Sequence, residues 1–480
     1  MNYKMISYSI GRILLIEAIL LVFPAIGAII YKDNTLTAFA ITIALLVIIG
    51  SLAARKKPEK TQIYAKEGYV IVSLCWILMS LFGAMPFYLS GHIPNFIDAL
   101  FETVSGFSTT GSTILTNIEA LPKSLHFWRA FTHWIGGMGI LVFVIAIMPK
   151  TESTSMHVMR AEVPGPTVGK LVSKLRVSAR ILYGIYCVMS LIEIVLLFVG
   201  GMPLFDCIIN TFSTAGTGGF GLLNDSIAGY NSVYAEMVIA VFMLLFGINF
   251  NLYYLIIIGH AKQAFKSEEL RYYLGIIAGA VVIIALSLYG TSYSLADSFR
   301  LSFFQVVAII TTTGFATADY CNWPLVSQVI IIFLMFVGAC AGSTGGGLKV
   351  SRLIILLKSS TRDIKKALNP RSIETVKVDK QAVEEPVVRG VSVFFGMYMI
   401  VIAISIFLIS FEGLDLETTV TSVITCVNNI GPGLSTICPS GNFAHFGVFS
   451  KCVLIFDMLA GRLELFPMLL LFNTSTWKNH

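Results

Sequence analysis

The stretch Phe107–Leu115, FSTTGSTIL, decides the fold, because the rest of the chain is laid out around it. It sits between a short apolar segment and a longer one, and it is too polar and glycine-rich to continue either as a helix. Related stretches follow: FSTAGTGGF at Phe212–Phe220, IITTTGFATADY at Ile309–Tyr320 and CVNNIGPGLS at Cys426–Ser435. Their central glycines, Gly111, Gly216, Gly314 and Gly431, are separated by 105, 98 and 117 residues. Four weak repeats inside a hydrophobic chain predict four units around one axis.

The composition is that of an integral membrane protein. Of 480 residues, 56% are hydrophobic and 12% are charged, against roughly 25% charged in soluble domains. Mean hydropathy is +0.81. No small-residue cleavage site follows Met1–Ile10, so the apolar run Ile13–Ile30 is expected to be retained as a span. The eight cysteines form no CxxC pair and no histidine stands at metal-ligand spacing, while Cys75, Cys187, Cys340 and Cys426 lie in apolar runs. Neither a disulfide framework nor a zinc site is expected.

Ten apolar segments have about the length a spanning helix needs. They are Ile10–Tyr31, Leu36–Ala54, Gly68–Ser90, Phe127–Met148, Ala179–Gly200, Ser232–His260, Leu274–Tyr289, Leu325–Ala341, Val388–Phe411 and Phe446–Phe472. Four shorter ones, Pro94–Ser108, Pro203–Ser213, Leu295–Thr311 and Leu414–Val427, each end in a glycine stretch. Too short to cross, they are expected to dip into the membrane and return as re-entrant helices. The predicted fold class is an all-α membrane protein with ten transmembrane helices plus four re-entrant pore helices. It divides into an amino-terminal helix pair (1–66) and four repeats, 67–150, 151–261, 262–370 and 371–480. The second repeat includes a preceding cytosolic segment, the third a broken second helix and the fourth a cytosolic hairpin.

With the amino terminus cytoplasmic, 27 of the 33 basic residues fall on the inner side, ten of them between Lys349 and Arg389. This positive-inside bias puts all four glycine stretches on the outer side. The net charge of +6 then reflects topology and contact with membrane lipid, and no nucleic-acid partner is expected. Two inner segments are long enough for structure. Lys150–Arg180 is predicted as a basic helical segment interrupted at Pro164–Pro166. Leu348–Leu368 continues a helix past the membrane, followed by a small hairpin of Ile373–Val378 and Ala382–Val388 in which Pro386 confines the second strand to an edge. Such a loop is either a docking surface or a solvated connector.

A half helix that starts outside and ends near the midplane directs its carbonyl end inward, equivalent to about half a negative charge. Four of them favour a cation on the axis. Asp98, Asp206, Asp297 and Asp415, near the half-helix starts, suit the opposite end of the dipole and are candidates to cap it. Past each half helix, glycine permits the positive φ that lets successive carbonyls face one way and replace the hydration shell of a cation. The candidate cation ligands, mainly through backbone carbonyls, are Thr109, Thr110 and Gly111; Thr214, Ala215 and Gly216; Thr312, Thr313 and Gly314; and Asn429, Ile430 and Gly431. None carries charge, which argues against a carboxylate-ring filter or an arginine-lined anion pore.

These motifs, with HWIGGMGI at His133–Ile140, SMHVMRAEVPGP at Ser155–Pro166 and AGSTGGGLKV at Ala341–Val350, resemble the TrkH-type membrane subunit of bacterial Trk potassium uptake systems, within the Trk/Ktr/HKT superfamily. The resemblance covers the whole chain. It implies a potassium-channel-like pore of four linked M1-P-M2 repeats, K+ as the transported ion, and a multi-pass homodimer in the bacterial inner membrane. It also implies a cytosolic TrkA-like regulatory subunit, with the nucleotide (ATP/ADP or NAD) bound on that partner only. Plant relatives with weaker potassium preference carry serine for the first filter glycine, whereas glycine in all four repeats here fits potassium permeation. The fourth repeat, Asn429–Gly433, departs most from the others.

Two inner features remain. Gly338–Gly347, GACAGSTGGG, interrupts the eighth span, and each glycine costs a helix up to ~1 kcal/mol relative to alanine. Unwound backbone at membrane depth has to be buried in protein or line a cavity. The segment is expected to form a loop below the filter that obstructs the pore, and the resemblance supports a gating role for Gly342, Ser343, Thr344, Gly345, Gly346 and Gly347. A loose helix end at the membrane boundary is the alternative. It is not a phosphate-binding loop, since Leu348–Lys349–Val350 follows Gly347 and no strand precedes it. Arg462, inside MLAGRLELF, would cost from roughly 3 to more than 10 kcal/mol near the bilayer centre. The resemblance implies that it faces the pore; a structural ion pair is the alternative. A partner from another helix is expected for it and for Glu464, with Asp457 poorly placed. His133 is expected to pack or to anchor at the interface.

Other classes fit less well. A proton- or sodium-coupled potassium symporter shares a midplane site but needs two mobile halves, and these repeats are parallel, not inverted. An enzyme would need a nucleophile–base or metal constellation at membrane depth, and neither HExxH nor GxSxG occurs.

Overall fold

The computed structural model describes residues 1–56, 58, 64–139, 175–291, 293–372 and 374–477. The second half of the expected Phe127–Met148 span, the Ser155–Pro166 motif and most of the Lys150–Arg180 segment lie outside the described residues. Two amino-terminal helical segments come first, Tyr3–Leu20 continuing into Val22–Tyr31, then Leu36–Ala53. Small residues let them touch: a methyl group on Gly11 would lie 2.7 Å from the Gly50 carbonyl oxygen.

The repeats follow the expected order of long helix, half helix, turn and second helix. The half helices are Phe96–Phe107, Leu204–Gly216, Leu295–Ile310 and Leu416–Asn428, within a few residues of their expected limits. Of the four aspartates, only Asp415 caps, its carboxylate accepting from the Thr418 N–H at 2.9 Å. Asn95 and Ser294 cap the first and third half helices, and Pro203 precedes the second. Asp98, Asp206 and Asp297 sit in the first turn, where they still meet the positive end of the dipole.

Six helices among the described residues are long and apolar enough to cross a membrane, and one bent pair makes a seventh. The second helices of the repeats are shorter: Lys123–Gly137, Val233–Phe246, Leu325–Val337 and Val448–Arg462. Only the third was expected to break. The sixth span, drawn as continuous, bends by 91° between Val233–Phe246 and Phe250–Ile257. The tenth resumes at Phe466–Phe472 after a turn with Glu464 at φ 59° and Leu465 at φ 63°. Each break carries a single polar residue at its turn, Asn249 in one and Glu464 in the other, within an otherwise apolar run, so hydropathy passes over both.

The hairpin is also smaller than expected. Lys377–Val378 pairs with Gln381–Ala382 across a turn at Asp379 and Lys380, both at positive φ. Pro386 lies in the first turn of the helix Glu385–Ser410, where a missing N–H is harmless, so Ala382–Val388 is not a strand. A disulfide joins Cys321 to Cys438, linking repeats three and four. Single cysteines 117 residues apart carry no pairing signal in sequence.

Candidate functional site

The half helices end in turns of one shape. In repeat one, Thr109 has φ 56° and Gly111 φ 81°; in repeat three, Thr312 has φ 60° and Gly314 φ 74°; in repeat four, Asn429 has φ 56° and Gly431 φ 98°. Repeat two shows the pattern at Thr217 (φ 56°) and Gly219 (φ 79°). The expected ligands Thr214, Ala215 and Gly216 are instead the last turn of the half helix, and the Thr214 carbonyl already accepts from the Thr217 N–H at 3.0 Å. The Phe-Ser-Thr triplet that begins both FSTTGSTIL and FSTAGTGGF misaligns them. Thr217, Gly218 and Gly219 take the places of Thr109, Thr110 and Gly111.

With that register the turns close a ring. A methyl group on Gly111 would lie 2.0 Å from the Gly218 carbonyl oxygen, one on Gly219 2.0 Å from that of Thr313, and one on Gly314 2.0 Å from that of Ile430. Gly431 completes the circuit, 2.9 Å from the Thr110 carbonyl oxygen by the same measure. Each glycine therefore lets its repeat approach the neighbouring backbone, as well as adopting a conformation that L side chains avoid. Further seams join neighbours beyond the ring. The Phe443 N–H donates to the Thr113 carbonyl at 2.8 Å, and the Ala228 N–H to that of Ala316 at 3.3 Å. The Tyr320 hydroxyl donates to the Gly433 carbonyl at 2.9 Å, beside the Cys321–Cys438 bond.

Directly against the ring lies the loop between Leu325–Val337 and Val350–Leu368. The Gly346 N–H donates to Thr312 Oγ1 at 2.7 Å, and a methyl group on Gly346 would lie 2.5 Å from the Asn428 carbonyl oxygen. The loop uses groups freed by the bend in repeat two. The Cys340 N–H donates to the Gly247 carbonyl at 3.1 Å, and the Thr344 hydroxyl to that of Phe246 at 3.3 Å. In return the Phe250 N–H donates to the Gly342 carbonyl at 3.1 Å. Two unwound segments thus satisfy each other's backbone at depth, which is what permits either.

Arg462 joins this assembly through carbonyls. It donates to Thr344 of the loop at 2.9 Å, to Gly137 at 2.8 Å and to Gly136. Gly136 and Gly137 end the second helix of repeat one, so the guanidinium sits at the negative end of that dipole. Glu464 finds its partner on another helix, as expected, in Arg352 at 2.5 Å. Asp457 accepts from the Ser405 hydroxyl at 2.7 Å. Lys349, which is not among the residues expected to gate, is 2% exposed and donates through Nζ to the Gly345 carbonyl. A lysine closing a glycine run at membrane depth was the available signal. His133 packs as expected: it is buried, stacked on Phe220 with centroids 4.1 Å apart, and Nδ1 lies 3.3 Å from the Ser213 hydroxyl.

The chain matches the TrkH family, described as cation transport proteins, over residues 35–478. It belongs to that family. Among its relatives are the Trk system potassium uptake proteins TrkH of Salmonella typhimurium strain LT2 and Escherichia coli strain K12, each 35% identical over 485 residues and covering 100% of both chains. The crystal structure of the potassium transporter TrkH from Vibrio parahaemolyticus superimposes with a TM-score of 0.90 at 31% identity, again over 100% of each chain. As a TrkH-family protein it is a membrane transporter, not an enzyme.

Proposed function

We propose that this chain is the potassium-translocating membrane subunit of a bacterial Trk-type uptake system, conducting K+ through the ring of four turns. The observation that carries this reading is the ring itself: four glycines at positive φ, each packed on a neighbour's carbonyl. Alternating φ signs turn successive carbonyls toward the axis, where they stand in for the hydration shell of a dehydrated cation. Thr109, Thr110, Gly111, Thr217, Gly218, Gly219, Thr312, Thr313, Gly314, Asn429, Ile430 and Gly431 supply them, at the negative ends of four half helices.

The loop Gly342–Gly347 is the gate, held shut under the ring by Arg462 and Lys349. Arg462 ties loop to helix, so opening releases its hydrogen bonds together with the Gly346–Thr312 contact. The basic inner face, including Val350–Leu368 and the hairpin, receives a cytosolic TrkA-like subunit that binds ATP/ADP or NAD and moves the loop. The working form is a homodimer in the inner membrane with its amino terminus cytoplasmic, which places the Cys321–Cys438 bond in the oxidising periplasm. Rubidium uptake into proteoliposomes containing the purified chain tests the reading. Uptake that ignores substitution of the ring glycines by bulky residues would overturn it.

A further inference from the structure

Seven residues before each ring segment, the half helices carry Glu102, Asn210, Gln305 and Ser422, each at most 1% exposed. Three are neutral. Asn210 donates to the Tyr230 hydroxyl at 3.1 Å, Gln305 to the Ala318 carbonyl at 3.1 Å, and Ser422 to the Thr419 carbonyl of its own helix at 3.0 Å. Glu102 is charged and does more. Its carboxylate accepts from the Thr113 hydroxyl at 2.9 Å and the Ile114 N–H at 3.0 Å, just past Gly111, and pairs with Arg129 Nε at 2.6 Å.

Arg129 extends the contact into repeat two. Its Nη1 donates to the Gly221 carbonyl at 3.1 Å, just past Gly219, and its guanidinium carbon lies 3.5 Å from the centroid of the Phe220 ring. The Phe220 carbonyl in turn accepts from the Ser213 hydroxyl at 2.7 Å. Both charged side chains are closed to solvent, at 2% and 0% exposed. A buried pair that merely braced the wall could sit anywhere along it. This one is directed at the backbone leaving the ring in two adjacent repeats.

We propose that Arg129 and Glu102 are positioning residues for ion discrimination. By bridging the segments that leave the ring in repeats one and two, the pair fixes the separation of the carbonyls between them and so favours the larger potassium ion over sodium. This rests on the ring being the selectivity filter. Neither residue touches the ion; both act through Thr113, Ile114, Phe220 and Gly221.

The test is the rubidium-to-sodium permeability ratio of the full-length protein in proteoliposomes. Glu102→Gln, Arg129→Lys and, as a direct ring control, Gly111→Ser are compared with the unsubstituted chain. Glu102→Gln is expected to lower the ratio by about tenfold, the scale of one charge-assisted hydrogen bond. Arg129→Lys keeps the charge but cannot hold both Glu102 and Gly221, so a smaller fall of about threefold is expected. Should Glu102→Gln fail to fold, Glu102→Gln combined with Arg129→Met leaves no unpaired buried charge and is expected to give the same tenfold fall. If Gly111→Ser lowers the ratio while the charge-removing variants reduce rubidium and sodium flux equally, the pair is only a brace and the proposal is overturned. If Gly111→Ser also leaves the ratio unchanged, the filter reading fails, and the proposal with it.

Discussion

The ring and the glycine loop packed against it are built on opposite plans. All four repeats give the ring the same turn, with positive φ at the same two positions and the same glycine-on-carbonyl contact. The assembly around the loop takes a different part from each repeat: the loop from three, Arg462 from four, helix-end carbonyls from one and a bent helix from two. Selection on an axis requires near-equal distances in every direction, so each repeat meets the same constraint. On the proposed reading the loop obstructs the path, and one body is enough for that, so the repeats are free to diverge.

The comparison can be broken at several points. The largest effect is expected for Gly219→Val. A first side-chain carbon there meets the Thr313 carbonyl at 2.0 Å, and left-handed backbone costs about 1–2 kcal/mol more without glycine. Rubidium uptake should fall to background, whereas Thr214→Val, in the half helix, should leave the ion ratio intact. A reversed result would restore the register Thr214–Gly216.

Arg462→Ala comes next. It removes charged hydrogen bonds worth about 1.5–3 kcal/mol each, so basal flux without any partner should rise roughly tenfold or more. Flux no higher than that of the unsubstituted chain would mean that the arginine only braces the helix ends. The seam between repeats three and four offers a milder intervention. Cys321→Ser with Cys438→Ser should lower unfolding stability by about 2–5 kcal/mol, seen as a lower thermal midpoint, with selectivity kept. Smallest is Tyr320→Phe, which loses one hydrogen bond to Gly433, worth about 1 kcal/mol. A collapse of selectivity in either would place this seam on a level with the ring.

Legibility in the sequence follows the same division. Turns one, three and four could be read because their determinants are local: a half helix, a threonine or asparagine, and a glycine at fixed spacing. Turn two is harder to place because its half helix runs on through Gly216, and the glycine at positive φ that packs on the next repeat is Gly219. The glycine loop was visible because glycine is costly in any helix. The bends at Gly247–Asn249 and Leu463–Leu465 were hidden, since each is stabilised by groups far away in the chain. Ion pairs such as Glu102–Arg129, 27 residues apart, and Lys451–Asp98, 353 apart, are purely tertiary. Hydropathy sees such residues only as exceptions.

Joining the four repeats in one polypeptide has a genetic consequence. In a ring of four identical subunits, every mutation is quadrupled, and a glycine-rich loop or a membrane-buried arginine would arrive as four copies crowding one axis. Here a codon change is felt in a single quadrant. On the proposed reading of the ring as filter and the loop as gate, linkage in one chain lets the loop change in one quadrant without the same change arising in the other three.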